Sequence, residues 1–175
     1  MNRSSKSHCN QQQKKVVSKK SQNKPVESEK ENKVLFPNKS LCNKNQKIVV
    51  SEESGNKHIV NNPNLINIYK YHIDGDIIPE EDTLGERCDY IVETIKQSKP
   101  IVFIIELKGS DLLKAVNQIE ATIKRFSQQL ANYKIYPRIV CTRIVAHAIK
   151  DSKYRSFQQK YPQEIHSSNI ISDTI

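Results

Sequence analysis

The chain's most apolar run, Ile101-Val102-Phe103-Ile104-Ile105, leads without a break into Glu106-Leu107-Lys108-Gly109. A short apolar run rich in β-branched residues and bounded by polar turns reads as a buried β-strand. In a strand, residues i and i+2 point to the same face. Glu106 and Lys108 therefore share a face at the strand end, with Leu107 turned to the other. Burying charge is costly unless the charge is paired or holds a metal ion. Upstream, Cys88-Asp89-Tyr90-Ile91-Val92 sets an acid at the mouth of a second strand.

Around this pair the chain reads as a succession of elements. Ile66–Ile73 alternates as a strand, and Asp74-Gly75-Asp76 is a turn signal. Pro79-Glu80-Glu81-Asp82 is a loop leading to Gly85-Glu86-Arg87. Cys88–Thr94 is the next strand, Lys96-Gln97-Ser98-Lys99-Pro100 a hairpin turn, and Pro100–Leu107 the third strand. A helix opens after Gly109, with Ser110 or Asp111 as its N-cap. Leu112, Val116, Ile119, Ile123, Phe126 and Leu130 recur in steps of three and four and form one buried stripe. Ala115, Gln118, Thr122 and Arg125 form the neighbouring stripe. Arg138–Val145 reads as a fourth strand, His147–Lys160 as a basic helix or loop, and residues 161–175 as a frayed end.

Charge divides the chain. Residues 1–50 hold twelve Lys/Arg against Glu27, Glu29 and Glu31, which accounts for the whole net charge of +9. The remaining residues carry sixteen basic and sixteen acidic side chains. The basic character thus belongs to the N-terminal segment and does not show that the folded surface binds nucleic acid. Residues 1–33 are rich in Lys, Ser, Asn and Gln, have no aromatic residue, and are expected to be a disordered basic tail. Solubilisation and non-specific attraction to phosphate are both open as its role. Residues 34–62 form a linker or N-terminal element, in which Val34-Leu35-Phe36 and Ile48-Val49-Val50 anchor a short helix or strand. The ordered domain is expected over residues 63–160.

Cys9, Cys42, Cys88 and Cys141 are widely spaced and make neither a zinc motif nor a disulfide framework. Reduced thiols in the cytoplasm are the simplest expectation. No secretory signal is read at the N-terminus, and no apolar run approaches the length of a membrane span. The five histidines are scattered.

An Asp heading one strand, followed by Glu-x-Lys ending the next, resembles the PD-(D/E)XK nuclease superfamily. The resemblance covers about residues 70–145 and is strongest from Arg87 to Phe126. It implies a restriction-endonuclease-like mixed β-sheet core, α/β in class, of order α-β-β-β-α-β. It also implies an endonuclease dependent on Mg²⁺ or Mn²⁺, with DNA the favoured polymer. Asp89, Glu106 and the Leu107 carbonyl would be metal ligands, and Lys108 would stabilise hydroxide or phosphorane charge. Gln118 matches a helix glutamine that several nuclease groups carry. Thr122 stands where one subgroup has a tyrosine, and Cys88 where a proline often precedes the first acid. Glu52 or Glu53 would supply an acid that many members carry on the first helix. Asp74 and Asp76 read as turn residues before auxiliary ligands, and Lys124 and Arg125 as a solvated helix face before phosphate contacts. A homodimer or larger complex is compatible with so small a core. Two rivals remain: a catalytically inactive nuclease-fold binding or assembly module, and an unrelated α/β interaction protein whose Glu106–Lys108 pair is structural.

Overall fold

Ser54 and Gly55 both take positive φ, 49° and 81°, the backbone of a two-residue type I′ turn. They join β1 (Ile48–Glu53) to β2 (Asn56–Asn61) as an antiparallel hairpin closed by the Glu53–Asn56 pair. This computed structural model describes residues 34–83, 85–95, 100–161 and 168–175. The expected tail (1–33) and the turn residues Lys96–Lys99 lie outside the described residues. The segment read as a linker or N-terminal element thus contains the hairpin, and ordered structure begins well before residue 63.

β3 (Asn67–His72), β4 (Tyr90–Ile95) and β5 (Ile101–Lys108) follow, then α1 (Leu112–Arg125), the single turn α2 (Ser127–Leu130) and β6 (Lys134–Cys141). The chain ends in α3 (Ala146–Lys150), α4 (Ser152–Lys160) and β7 (Ile170–Thr174). The succession β3, β4, β5, α1, β6 matches the expected order. The expected leading helix does not appear: among the described residues the β1–β2 hairpin precedes β3.

A four-stranded sheet runs β3-β4-β5-β6, with β5 antiparallel to β4 and parallel to β6. A continuous apolar strand needs cover on both faces. Val102 and Ile104 pack with the α1 stripe of Leu112, Val116 and Ile119. Phe103, Ile105 and Leu107 pack with Val49 and Val60 of the hairpin. The molecule is therefore a mixed α/β protein in which β5 is sandwiched between helix and second sheet.

Several boundaries differ from expectation for identifiable reasons. β4 begins at Tyr90 rather than Cys88, because the Cys88 N–H bonds the Thr122 Oγ1 at 2.8 Å. β6 runs Lys134–Cys141 rather than Arg138–Val145. Its partner β5 ends opposite Cys141, and the Arg143 N–H turns away to the Gly109 carbonyl. Pro137 within β6 is tolerated because β6 is an edge strand. Asp111, not Ser110, caps α1, its Oδ1 accepting from the Lys114 N–H at 2.9 Å. The stripe continues past the helix end through buried Phe126 and Leu130.

The C-terminal segment is not frayed where it is described. β7 lies parallel to β2, giving a second sheet of order β1-β2-β7. Among the described residues no helix is long and apolar enough to cross a membrane.

Candidate active site

The alternation of β5 sends Glu106 and Lys108 to the side that α1 covers. Glu106 is 0% exposed, and the Lys108 Nζ lies 2.9 Å from its Oε1 while the lysine side chain stays 26% exposed. Neither Glu106 oxygen receives a well-aligned hydrogen bond among the described residues.

Asp89 sits one residue before the β4–β5 ladder, which begins at Tyr90 opposite Ile105. It is 4% exposed, and its Oδ2 accepts the Leu107 N–H at 2.6 Å. The N–H and C=O of a strand residue point to the same side. The Leu107 carbonyl therefore faces the same edge of β5 as Asp89.

Both carboxylates are costly to ionise where they lie. Burial, then the charge of Asp89, pushes Glu106 up to about 8, against the opposing pull of Lys108. Burial raises Asp89 to about 6, resisted by the Leu107 N–H and reinforced by Glu53. Burial alone would lower Lys108, but the Glu106 carboxylate outweighs it and holds the ammonium above its ordinary value. Glu53, at the end of β1, acts on all three groups. Glu52 is exposed and pairs with Lys57 at 2.9 Å. The acid beside the site thus comes from a strand end, not a helix.

Helix α1 reaches the site through the backbone leading into Asp89. The Gln118 Nε2 donates to the Arg87 carbonyl at 2.9 Å, and its Oε1 is buried without a hydrogen-bond partner among the described residues. Thr122 accepts the Cys88 N–H and donates to the Gln118 carbonyl, both at 2.8 Å. Gln118 therefore grips the approach to Asp89, and Thr122, one turn along the same stripe, adds a second hold.

Beside Asp89 opens a groove of about 480 Å³ lined by Glu53, His72, Asp74, Glu80, Arg87 and Tyr90. Its guanidinium is already engaged: the Arg87 Nε donates to the Asp74 Oδ1 at 2.6 Å and its Nη1 to the Asp82 carbonyl at 2.9 Å. Asp74 and Gly75 belong to a tight turn, with the Gly75 N–H on the Ile78 carbonyl at 2.8 Å. Asp76 meets the His72 Nδ1 at 3.4 Å. Arg125 pairs with Asp82, and Lys124 is exposed. The groove wall is predominantly acidic.

A second buried polar group lies between the sheets, and no spacing in the sequence pointed to it. The His58 Nε2 is 2.7 Å from the Asp173 Oδ2, and Arg138 grips both Asp173 oxygens at 2.7 and 2.6 Å. Ser51 is the cross-strand neighbour of His58. Both are fully buried, which denies them to a substrate and makes the group a structural fastener for β7.

The donor chemistry at Asp89 and Glu106 suits a hard divalent cation. The Glu106 oxygens, one of them paired with Lys108, the Asp89 Oδ1 and a strand carbonyl are all oxygen donors, the type that Mg²⁺ and Mn²⁺ prefer. Among the described residues no group of three or more His, Cys, Asp or Glu side chains converges on one point, so water would complete any coordination shell. Comparison of the chain with protein-family models, with characterised proteins and with solved structures returns no match. Fold and site define a mixed α/β protein with a buried carboxylate pair and a lysine at the end of its central strand.

Proposed function

We propose that the protein is a metal-dependent phosphodiesterase of the PD-(D/E)XK class, an endonuclease on nucleic acid with DNA as the favoured polymer. The observation that carries this reading is the buried Glu106 carboxylate, without a well-aligned hydrogen bond, beside Asp89 and within reach of Lys108. Two buried carboxylates served by one ammonium and one backbone N–H are costly to ionise together, and a cation relieves that cost. Asp89, Glu106 and the Leu107 carbonyl would hold Mg²⁺ or Mn²⁺. When bound, such an ion supplies positive charge to phosphate oxygens and lowers the pKa of water.

The chain's own groups do the rest. Lys108 presents a partly exposed ammonium where negative charge builds on the phosphorane. Gln118 and Thr122 fix the backbone that delivers Asp89. The acidic wall of Glu53, Asp74 and Glu80 repels phosphate, so approach to this groove depends on cations. The cytoplasm is the compartment this reading favours. So small a core leaves sequence readout to a dimer or a larger complex.

The test is cleavage of single- and double-stranded DNA and RNA with Mg²⁺ or Mn²⁺, wild type against Lys108→Ala. Cleavage by the wild type that the variant loses supports the reading and names the polymer. A folded wild type that cleaves nothing turns the weight to a nuclease-fold module without catalysis. The observation favouring that second reading is the closed Glu106–Lys108 ion pair.

A further inference from the structure

Residues 51–175 are neutral in sum, yet their charge is sorted in space. From Arg143 to Lys160 the chain carries Arg143, Lys150, Lys153, Arg155 and Lys160 against one carboxylate, Asp151. That carboxylate is spent inside the fold: it caps α4, accepting the Lys153 N–H at 2.8 Å. Ala148, Tyr154 and Phe157 turn inward to the core beneath, so the five cations face outward and all are exposed. None has an ion-pair partner among the described residues. Lys57, Arg87, Lys108, Arg125 and Arg138 each meet a carboxylate, whereas the ridge gathers five cations that do not within one run of eighteen residues. Lys153 and Lys160 stand seven residues apart on one stripe of α4, about 10 Å along the axis. The exposed side chains between them include Ser156, Gln158 and Gln159, which can hydrogen-bond phosphate oxygens.

This ridge starts at the end of the sheet that carries the carboxylates. β5 and β6 are parallel and finish level, Lys108 opposite Cys141. The Arg143 N–H then bonds the Gly109 carbonyl at 3.0 Å, one residue past Lys108. In open α/β sheets, ligands bind at the carboxyl ends of the strands.

We propose that the α3–α4 ridge is a docking surface for the phosphodiester backbone of nucleic acid, leading it to the end of β5. The choice of ligand rests on the nuclease reading; the surface itself rests on its unpaired cations and their position. Backbone contacts of this kind position a nucleic acid without reading its sequence.

The test measures binding of the full chain to a short labelled duplex and a matching single strand, in EDTA, by fluorescence anisotropy across a salt series. The ridge variant is Lys150→Ala/Lys153→Ala/Arg155→Ala. The control, Lys39→Ala/Lys44→Ala/Lys47→Ala, removes equal charge from exposed positions elsewhere. All of these residues are exposed, and melting curves verify that both variants are folded. The ridge variant should lose about tenfold in affinity or more, its log–log salt slope falling by about 0.9 for each duplex phosphate it no longer neutralises. The control should lose far less. Equal losses in both variants, or none in either, overturn the proposal, as does ridge-dependent binding to phosphatidylserine vesicles with none to either nucleic acid. Because no metal is present, selective loss in the ridge variant upholds the surface even where the wild type cleaves nothing. In that outcome the nuclease reading alone fails.

Discussion

Asp89 and Leu107 are joined by a 2.6 Å hydrogen bond from the Leu107 backbone N–H to the Asp89 Oδ2. The bond stands in for a strand pair one step past the end of the β4–β5 ladder. It fixes one carboxylate oxygen and leaves the other for a ligand. Asp89→Asn keeps an acceptor for that N–H and removes one of two buried like charges. The variant should melt near or slightly above the wild type without metal. Mn²⁺ should raise the wild-type melting temperature and leave the variant unmoved. An equal Mn²⁺ shift in both would take Asp89 out of the site.

Glu106 gives the metal-free protein a distinctive dependence on pH. Its carboxyl is held at about 8 in the fold against an ordinary 4.5, so the folded state binds the proton more tightly. Stability contributed by the protonated form is therefore lost as pH rises through that window. Asp89, raised to about 6, acts in the same sense at lower pH. Buried His58 is shifted below its ordinary 6.5 and acts in the opposite sense beneath that value. The interval from about pH 6.5 to 8 isolates Glu106, where the loss should be at most about 2 kcal/mol. Urea midpoints in EDTA should fall across it for the wild type and stay level for Glu106→Gln. Parallel curves would show that Glu106 does not titrate there.

Thr122→Val keeps the shape of the side chain and deletes the oxygen that accepts the Cys88 N–H. Leaving that buried donor unpaired should cost about 1–3 kcal/mol. Mn²⁺ affinity should weaken as well, because the backbone before Asp89 is released, and Thr122→Ser should restore it. Stability lost with metal affinity unchanged would make Thr122 a packing residue only.

Asp173→Ala should cost about 2–4 kcal/mol, less than the ~3–5 of a fully buried pair because Asp173 is partly exposed. It strands the Arg138 guanidinium and removes the hydrogen-bond partner of His58. Protease sensitivity should rise first at residues 168–175. A cleavage pattern like the wild type's would free β7 from dependence on this cluster.

The centre of the fold was legible because its signals are local. The Ile101–Ile105 run, the α1 stripe and the Glu106–Lys108 alternation each depend on neighbours a few residues away. The Ser54-Gly55 turn was equally local, and its left-handed dipeptide between alternating residues was a readable hairpin signal that the expectation of a helix or strand left unresolved. β7 carried no such signal. Ile170-Ile-Ser-Asp-Thr is short and polar, and what makes it a strand is β2 beside it. The His58–Asp173–Arg138 cluster was hidden for the same reason, since it forms only when three distant segments meet. Glu53 was singled out beside Glu52, but only the fold separates the acid that acts on Asp89 from the one that pairs with Lys57.

The parallel pairing of β2 with β7 also sets a timetable. Lys57 must find Ile170, more than a hundred residues downstream, before the second sheet has its third strand. The β1–β2 hairpin is local in sequence and should form first, its open edge uncovered until residues 170–174 arrive. Contacts of such high sequence separation slow folding and leave strand edges uncovered meanwhile. This protein should therefore fold in two stages, with β7 sealing last, and nascent chains that lack residues 168–175 should be its most aggregation-prone form.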